Sequence, residues 1–488
     1  MKKAGSLVLY IKINIMLSRF HNTLKIVFAV LLLFSCHAGK IPEQRNVVND
    51  VTQLNPIKVN SIIKPKTSLE IACAVKKHTG PVSIGGGRFS QGGQTATENA
   101  LQIDMRNFNR VISFSEKDKE ITVQAGIRWR ELIQFIDRYN LSVKIMQTYA
   151  NFTVGGSLSV NVHGRYVGQG PIIASVKSFK IILADGRLLN ANRNENKELF
   201  YSAIGGYGGI GIITEVTLFL TNNCKVAQQD SVMDLKNYKK FFMSKIRNKP
   251  DVIFHNADIY PNDFDQVRAV SYIKTDQELT IKDRLKPNTE NYALNRFALK
   301  IVSGSSFGKW LRKNVIDPLH YTGKVVEWRN YEATYDVAEL EPSSRKKSTY
   351  VLQEYFIPVE HFDVFVHKMS KILKDNKVNV LNISIRHANK DEGSYLAWAK
   401  QEVFAFVIYY KQGVGLTDKI QVKKWTRELI DASLLENGSY YLPYQIQATA
   451  FQFAKAYPNA DLFFSLKRRY DPEYKFRNKL FDAYYPAP

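Results

Sequence analysis

The sequence predicts a mixed helix-and-strand protein built as two domains. Three observations carry this expectation. The chain has 488 residues, more than one ordinary core organises. Strand-like and helix-like segments alternate up to about residue 222. After Asn222 the texture changes to longer strand patterns interrupted by basic, irregular stretches. A hydrophobic content of 45% with 12% aromatics excludes a disordered chain. The formal charge of +23 raises nucleic acid as a partner. No helix-turn-helix, zinc-finger or RNP pattern accompanies that charge. The expectation is therefore no nucleic acid, and a basic surface with a bias toward membrane surfaces.

The first 38 residues read as a targeting segment. The apolar run from Ile26 to Phe34 is too short to span a bilayer and suits the h-region of a signal peptide. Leu33-Phe34-Ser35-Cys36 is close to a lipoprotein box, and Ala38 offers ordinary cleavage. Lipidation of Cys36, cleavage after Ala38 and an uncleaved anchor stay open. Each predicts an exported protein, periplasmic or membrane-associated. Residues 39–56 read as a linker. Beyond them only Cys73 and Cys224 remain, which predicts neither a disulfide framework nor a metal site.

The elements follow in order. "SLEIACAVKKH" predicts a helix with Leu69, Ala72 and Val75 on one face. "PVSI" is a short strand, and "ALQIDM" and "EITVQAG" alternate as strands do. "RWRELIQFIDRYN" spaces Trp129, Leu132, Ile133 and Ile136 as a helix would. "SVKSFKIILADGRLLNA" reads as two strands about an Asp-Gly turn. "NKELFYSAIGGYGGIGIITEVTLFL" reads as a helix, a glycine turn and a long strand. Further on, "STYVLQEYFIP" and "EVFAFVIYY" are strands, and "VEHFDVFVHKMSKILKDN" is an amphipathic helix. "FGKWLRKNVI" is a shorter amphipathic stretch, and an aromatic, helical tail ends the chain.

Three glycine clusters stand out: Gly85–Gly93, Gly155-Gly156 and Gly205–Gly211. Glycine lets a ligand reach the main chain, and successive N–H groups in such a loop attract anions. A dinucleotide fingerprint fails at the first cluster, because Ser90 stands where the last glycine belongs and no helix pattern follows. The second cluster lies in "QTYANFTVGGSLSVNVHGR" and the third in "GGYGGIGIITEVTLFL".

In this order and spacing, the segments from 57 to 222 resemble the FAD-binding domain of the vanillyl-alcohol oxidase superfamily, the PCMH-type FAD-linked oxidases. The resemblance is nearest to aldonolactone oxidases and decaprenylphosphoryl-ribose 2'-oxidase. It implies an α+β fold. A PCMH-type FAD-binding domain of two α/β subdomains would span residues 57–225. A cap domain, with a large antiparallel sheet flanked by helices, would span 226–450. A C-terminal segment, 451–488, would return to the FAD domain.

The resemblance also implies roles. Gly85, Gly86, Gly87, Arg88, Phe89 and Ser90 would hold the FAD diphosphate. Thr148, Tyr149, Thr153, Gly155, Gly156, Ser159, Val162 and His163 would lie along the coenzyme, with Ile213 toward the adenine. Many members carry a histidine bound covalently to the flavin where this chain has Arg88, so non-covalent FAD is implied. His163 in "NVHGR" would stand next to the isoalloxazine. Arg386 in "SIR" would support the reduced flavin, while Ser384 replaces the glutamate of the family's "EIR". Tyr444 and Gln445 stand near the place of a substrate-binding lysine. Gln353 and Tyr355 lie on a strand that floors the substrate cavity in relatives. The implied function is oxidation of an alcohol on a small-molecule or lipid-linked sugar, or a sugar lactone. Electrons would pass on to oxygen, a quinone or a protein. The alternative is a flavin-binding electron-transfer or scaffold protein without that activity.

Overall fold

The computed structural model describes residues 46–261, 263–287 and 292–485; the apolar run, Cys36 and Ala38 lie outside them. Short β-branched segments between turns pair first into a small parallel sheet. Its order is Ser61–Ile63, Leu101–Asp104, Val82–Gly85. The alternating segments that follow make a second, antiparallel sheet. Its order is Leu188–Asn192, Val176–Ile182, Ile212–Asn222, Glu120–Gln124, Val111–Ser115, with Leu141–Val143 on the far end of the 212–222 strand. The Asp-Gly turn joins its first two strands, and Gly186 adopts φ +86° there. This is the left-handed backbone that favours glycine.

The helix Ser68–Lys77 buries Ile71 and Val75, whereas Leu69 is 73% exposed. The expected face is thus rotated: Ile71, not Leu69, packs inward with Val75. The helix Trp129–Asp137 buries Trp129, Leu132, Ile133 and Ile136, the spacing the sequence shows.

After Asn222 the long strand patterns build an eight-stranded antiparallel sheet. Its order is Val326–Trp328, Lys225–Asp234, Gln266–Lys274, Val252–Ile259, Val380–Ala388, Val403–Gly413, Ser348–Pro358, Ser439–Tyr440. Register assigns its two faces. Glu354 pairs with Val407, which pairs with Ser384; Phe356 pairs with Ala405, which pairs with Arg386. Directly opposed residues of neighbouring strands project to one side. Glu354, Phe356, Ser384 and Arg386 therefore share a face. Gln353 and Tyr355 point the other way, toward the helices Phe362–Asp375 and Leu416–Leu435. There the Gln353 amide donates to the Thr426 hydroxyl at 2.6 Å, and Tyr355 lies against the ring of Phe365.

The tail folds back on the first sheet. Val82 N–H donates to Lys475 O at 2.7 Å, and Arg477 N–H donates to Val82 O at 3.0 Å. Lys467, in the helix Ala460–Tyr470, is fully buried. Its ammonium donates at 2.8 Å to Gly209 O, to Phe476 O and to the Asp471 carboxylate. Burial pulls its pKa below the ordinary lysine range, and the Asp471 charge opposes that pull. Among the described residues no helix is long and apolar enough to cross a membrane. Removing one member of a buried pair leaves an uncompensated charge and costs about 3–5 kcal/mol. Lys467→Met should therefore lower the unfolding free energy by about that much in chemical denaturation.

Candidate functional site

The three glycine clusters meet in space because side chains are missing where main chains approach. A Cβ on Gly86 would collide with the Thr153 hydroxyl. That hydroxyl caps the short helix Val154–Ser159 by accepting from Gly156 N–H at 3.3 Å. A Cβ on Gly155 would lie 2.7 Å from the Ala125 Cβ, and Gly155 N–H donates to Ala125 O at 2.7 Å. A Cβ on Gly92 would lie 2.5 Å from Tyr444 O. The Gln94 amide, beside it, donates to Leu442 O and Tyr444 O, both at 2.7 Å.

A narrow cleft opens between these segments. Of the residues named from sequence, Gly86, Ser90, Thr153, Gly155, Gly156, Ser159 and Ile213 line it. Sequence reasoning missed Thr95, Met105, Ala125, Val160 and Tyr207, which also line it. Tyr207 could have been found, because it sits among the glycines of the third cluster. The lining suits FAD. Main chain is bare at Gly86, Gly156 and Gly208, hydroxyls come from Ser90, Thr95, Thr153 and Ser159, and Ile84, Met105 and Ile213 are apolar surfaces for rings. Two polar groups also stay unsatisfied nearby. Among the described residues, the buried amide of Gln102, 2.7 Å from the place of a Gly85 Cβ, has no partner, and neither does the Thr148 hydroxyl.

The other named residues stand outside the lining. Gly85 ends its strand, and a Cβ on Gly87 would meet the Phe89 ring at 2.8 Å. Phe89 itself stacks on Phe152 with ring centres 4.3 Å apart. Arg88 adopts φ +62°, and its guanidinium turns to the Asp104 carboxylate at 3.4 Å. Asp104 is thus a protein partner for this guanidinium, beside its implied place at a diphosphate. Burial would raise the Asp104 carboxyl, but the Arg106 hydrogen bond and the Arg106 and Arg88 charges hold it below its usual range. Val162 is buried, with its N–H on Ser157 O at 3.1 Å, so it props the short helix. Tyr149 forms a backbone bridge with Tyr335.

A buried polar cluster lies where one face of the eight-stranded sheet meets the segment after the helix Val154–Ser159. His163 Nε2 is 2.5 Å from Glu354 Oε1, and the Tyr444 hydroxyl donates to Glu354 Oε2 at 3.1 Å. Trp398 and Phe356 wall the imidazole, with ring centres 4.8 and 5.5 Å away. Burial, then the Glu354 charge, pushes the Tyr444 phenol well above its ordinary range, while the Arg386 charge pulls it back. Arg386 shares this face, and among the described residues its buried Nε has no hydrogen-bond partner. The Tyr441 hydroxyl donates to Val160 O at 2.8 Å, and Tyr207 N–H donates to Ser159 O at 2.9 Å. Cleft and cluster are thus adjoining parts of one site.

Gln353 is a correction: it belongs to the helix-packed face, and Glu354, passed over in sequence, is the residue on the site face. Alternation separates 353 and 355 from 354 but does not say which set looks inward. Gln445 lies at the edge, its amide donating to Gln412 at 3.4 Å. Among the described residues, no group of three His, Cys, Asp or Glu is gathered as a metal site.

Two residues on from His163, Arg165 pairs with Glu332 at 2.6 Å. Glu327 lies beside them, 3% exposed. Burial, then the Glu332 charge and hydrogen bond, pushes the Glu327 carboxyl up to about 9, so it stays protonated at neutral pH in the fold. The unfolded chain gives up that proton first. The contribution to stability is therefore fullest below the unfolded pKa and falls as pH rises toward the folded one. Glu327→Gln should flatten this limb: between pH 5 and 8 its melting temperature should fall less than the wild type's in calorimetry.

Comparison with known proteins matches residues 60–192 to the FAD binding domain. L-galactono-1,4-lactone dehydrogenase, mitochondrial, of Arabidopsis thaliana is 25% identical over 203 residues, 41% of this chain and 33% of that protein. L-gulonolactone oxidase of Mus musculus is 27% identical over 149 residues, 30% of this chain and 34% of that one. The putative D-arabinono-1,4-lactone oxidase of Neurospora crassa is 34% identical over 123 residues, 25% and 22% of the two chains. The chain thus spans about a third or less of the length of these relatives.

Proposed function

We propose, from the premise that this chain carries a PCMH-type FAD-binding domain and is related to aldonolactone oxidases, that it oxidises an alcohol of a sugar, a sugar lactone or a lipid-linked sugar. The observation that carries the reading is the His163–Glu354–Tyr444 cluster set against the glycine-lined cleft. Bound FAD would supply the acceptor for the hydride of the carbinol carbon. Gly86, Gly155, Gly156, Ser90, Thr153 and Ser159 would hold it, with Ile213 against its rings.

The residues of the chain then have distinct tasks. The His163–Glu354 pair is the proton acceptor for the substrate hydroxyl, with Glu354 fixing the imidazole's orientation and stabilising its charged form. The Tyr444 phenol, kept neutral by burial, donates to Glu354 and holds the carboxylate in place. Arg386 brings positive charge to the same face, where negative charge develops on reduction. The aromatic wall of Trp398, Phe356 and Tyr441 excludes water from the transfer.

The coenzyme is held without a covalent bond. Arg88 occupies the tethering position, and a guanidinium engaged with Asp104 forms no such bond. The reading includes an exported protein, on the strength of the apolar run before Cys36.

Purification without added coenzyme tests this reading. A yellow protein is expected, releasing all its colour through an ultrafilter after denaturation. Anaerobic addition of an aldonolactone or a polyprenyl-phosphate sugar should bleach the band near the flavin maximum. A colourless protein that takes up no FAD on titration would remove the premise. A yellow protein that none of these alcohols bleaches would leave an electron-transfer or scaffold protein instead. Positioned acid–base groups contribute about 10²–10⁴-fold in rate. His163→Ala and Glu354→Gln should slow anaerobic bleaching by that order, with the flavin still bound. Tyr444→Phe should cost less, about tenfold, the effect of one hydrogen bond of ~1.4 kcal/mol.

A further inference from the structure

The helices between Ala293 and His320 carry an exposed apolar surface that the reaction does not use. The first runs Ala293–Gly304. The second begins at Ser306, passes through a π-helical turn at Arg312–Ile316 and ends at His320. On it Phe307 is 67% exposed, Trp310 54% and Leu319 67%, with Val315 and Ile316 also open to solvent. The Phe307 and Trp310 rings stack with centres 5.9 Å apart, so the two form one aromatic face. Scattered exposed apolar residues need no explanation, but a contiguous patch of large ones marks a surface that is covered in use.

Beside this patch lies a cavity of about 510 Å³. Lys309, from the same helix, and Lys374 and Lys377, from the end of the helix Phe362–Asp375 and the turn after it, line it together with Ser305, Ser306 and Asn379. No aspartate or glutamate is in the lining, and among the described residues none of the three lysines forms an ion pair with a carboxylate. Burial holds the Lys309 ammonium below its ordinary range, so an arriving anion would restore what desolvation takes away. The chain as a whole carries +23.

We propose that this helical pair is a membrane-docking surface: Phe307 and Trp310 enter the headgroup region of an anionic phospholipid bilayer while Lys309, Lys374 and Lys377 receive a phosphate headgroup. Aromatic rings exposed on the helix and lysines lining the adjoining cavity supply the two kinds of contact that an interfacial helix makes. Trp is the side chain best suited to the boundary between headgroup and hydrocarbon. Charge complementarity chooses the partner. A basic, acid-free cavity beside an apolar face matches an anionic lipid surface, and it does not match a second copy of this equally basic chain. The proposal does not depend on the oxidation chemistry.

The test uses the full chain with its coenzyme, sedimented with vesicles of phosphatidylcholine and with vesicles of which half the lipid is phosphatidylglycerol. The wild type should bind the anionic vesicles and hardly the neutral ones, and added salt should release it. Each basic residue near an anionic surface is worth about fivefold in binding, the equivalent of ~1 kcal/mol. K309Q, K374Q and K377Q should therefore each weaken binding by about that factor. F307S combined with W310S should weaken it tenfold or more. Tryptophan emission of the wild type should shift to the blue on the anionic vesicles, and that of W310S should not. Flavin absorbance and melting temperature, unchanged in all variants, keep misfolding apart from loss of docking. Equal vesicle binding by the wild type and the F307S W310S protein would overturn the proposal. So would equal binding to neutral and anionic vesicles. A wild type that ignores vesicles and forms a dimer abolished by F307S W310S would assign the face to a second copy and overturn it as well.

Discussion

The contact between His163 and Glu354 determines how the two large sheets face each other. One partner belongs to the segment after the short helix Val154–Ser159, the other to the strand Ser348–Pro358. Both are buried, and a buried charge or ring nitrogen left without its partner costs free energy on the scale of a whole protein's margin. The eight-stranded sheet therefore has one acceptable register opposite this domain. A slip by one residue would present Gln353 and Tyr355 to the imidazole and drive Glu354 into the helices. The aromatic wall depends on the same choice, since Phe356 follows Glu354 by two.

Around that contact the protein is assembled by removing bulk. Gly86 against Thr153, Gly155 against Ala125 and Gly92 against Tyr444 O are three places where one extra carbon is too much. They draw together segments distant in sequence, and the cleft is the space they leave. The neighbouring interior is unusually polar. Arg165, two residues beyond His163, meets Glu332 from far along the chain, with Glu327 beside them, so one short run of backbone contributes a member to each of two buried ionisable networks. The carboxylate that the resemblance to aldonolactone oxidases places at position 384 is a serine here. Glu354 stands in the same row of the sheet, with Val407 between them. Glu354 thus supplies a carboxylate on the face that Ser384 shares.

Much of this was legible in the sequence. The strand alternations, the Asp-Gly turn and the three glycine clusters each follow from local chemistry, and the order of the clusters identified the FAD-binding domain. What stayed hidden depended on partners far along the chain. Arg88 is placed by Asp104, an anion no local rule connects to it. Leu69 loses the inward position to Ile71 because the helix is docked by what it packs against, and periodicity alone leaves its rotation open. Alternation sorts Gln353, Glu354 and Tyr355 into two sets. Only the register with Val407 and Ser384 decides which set meets His163. Tyr207, between glycines, looked like part of a turn, yet it borders both the cleft and the cluster.

The return of the tail onto the first sheet has a consequence for biosynthesis. The Ser83 hydroxyl donates to Arg477 O, a partner 394 residues later, and Lys467 closes onto Gly209 across 258 residues. The strand that leads into the first glycine loop therefore gains this backing only after residues 475–477 have been synthesised, so its final packing is set late in folding.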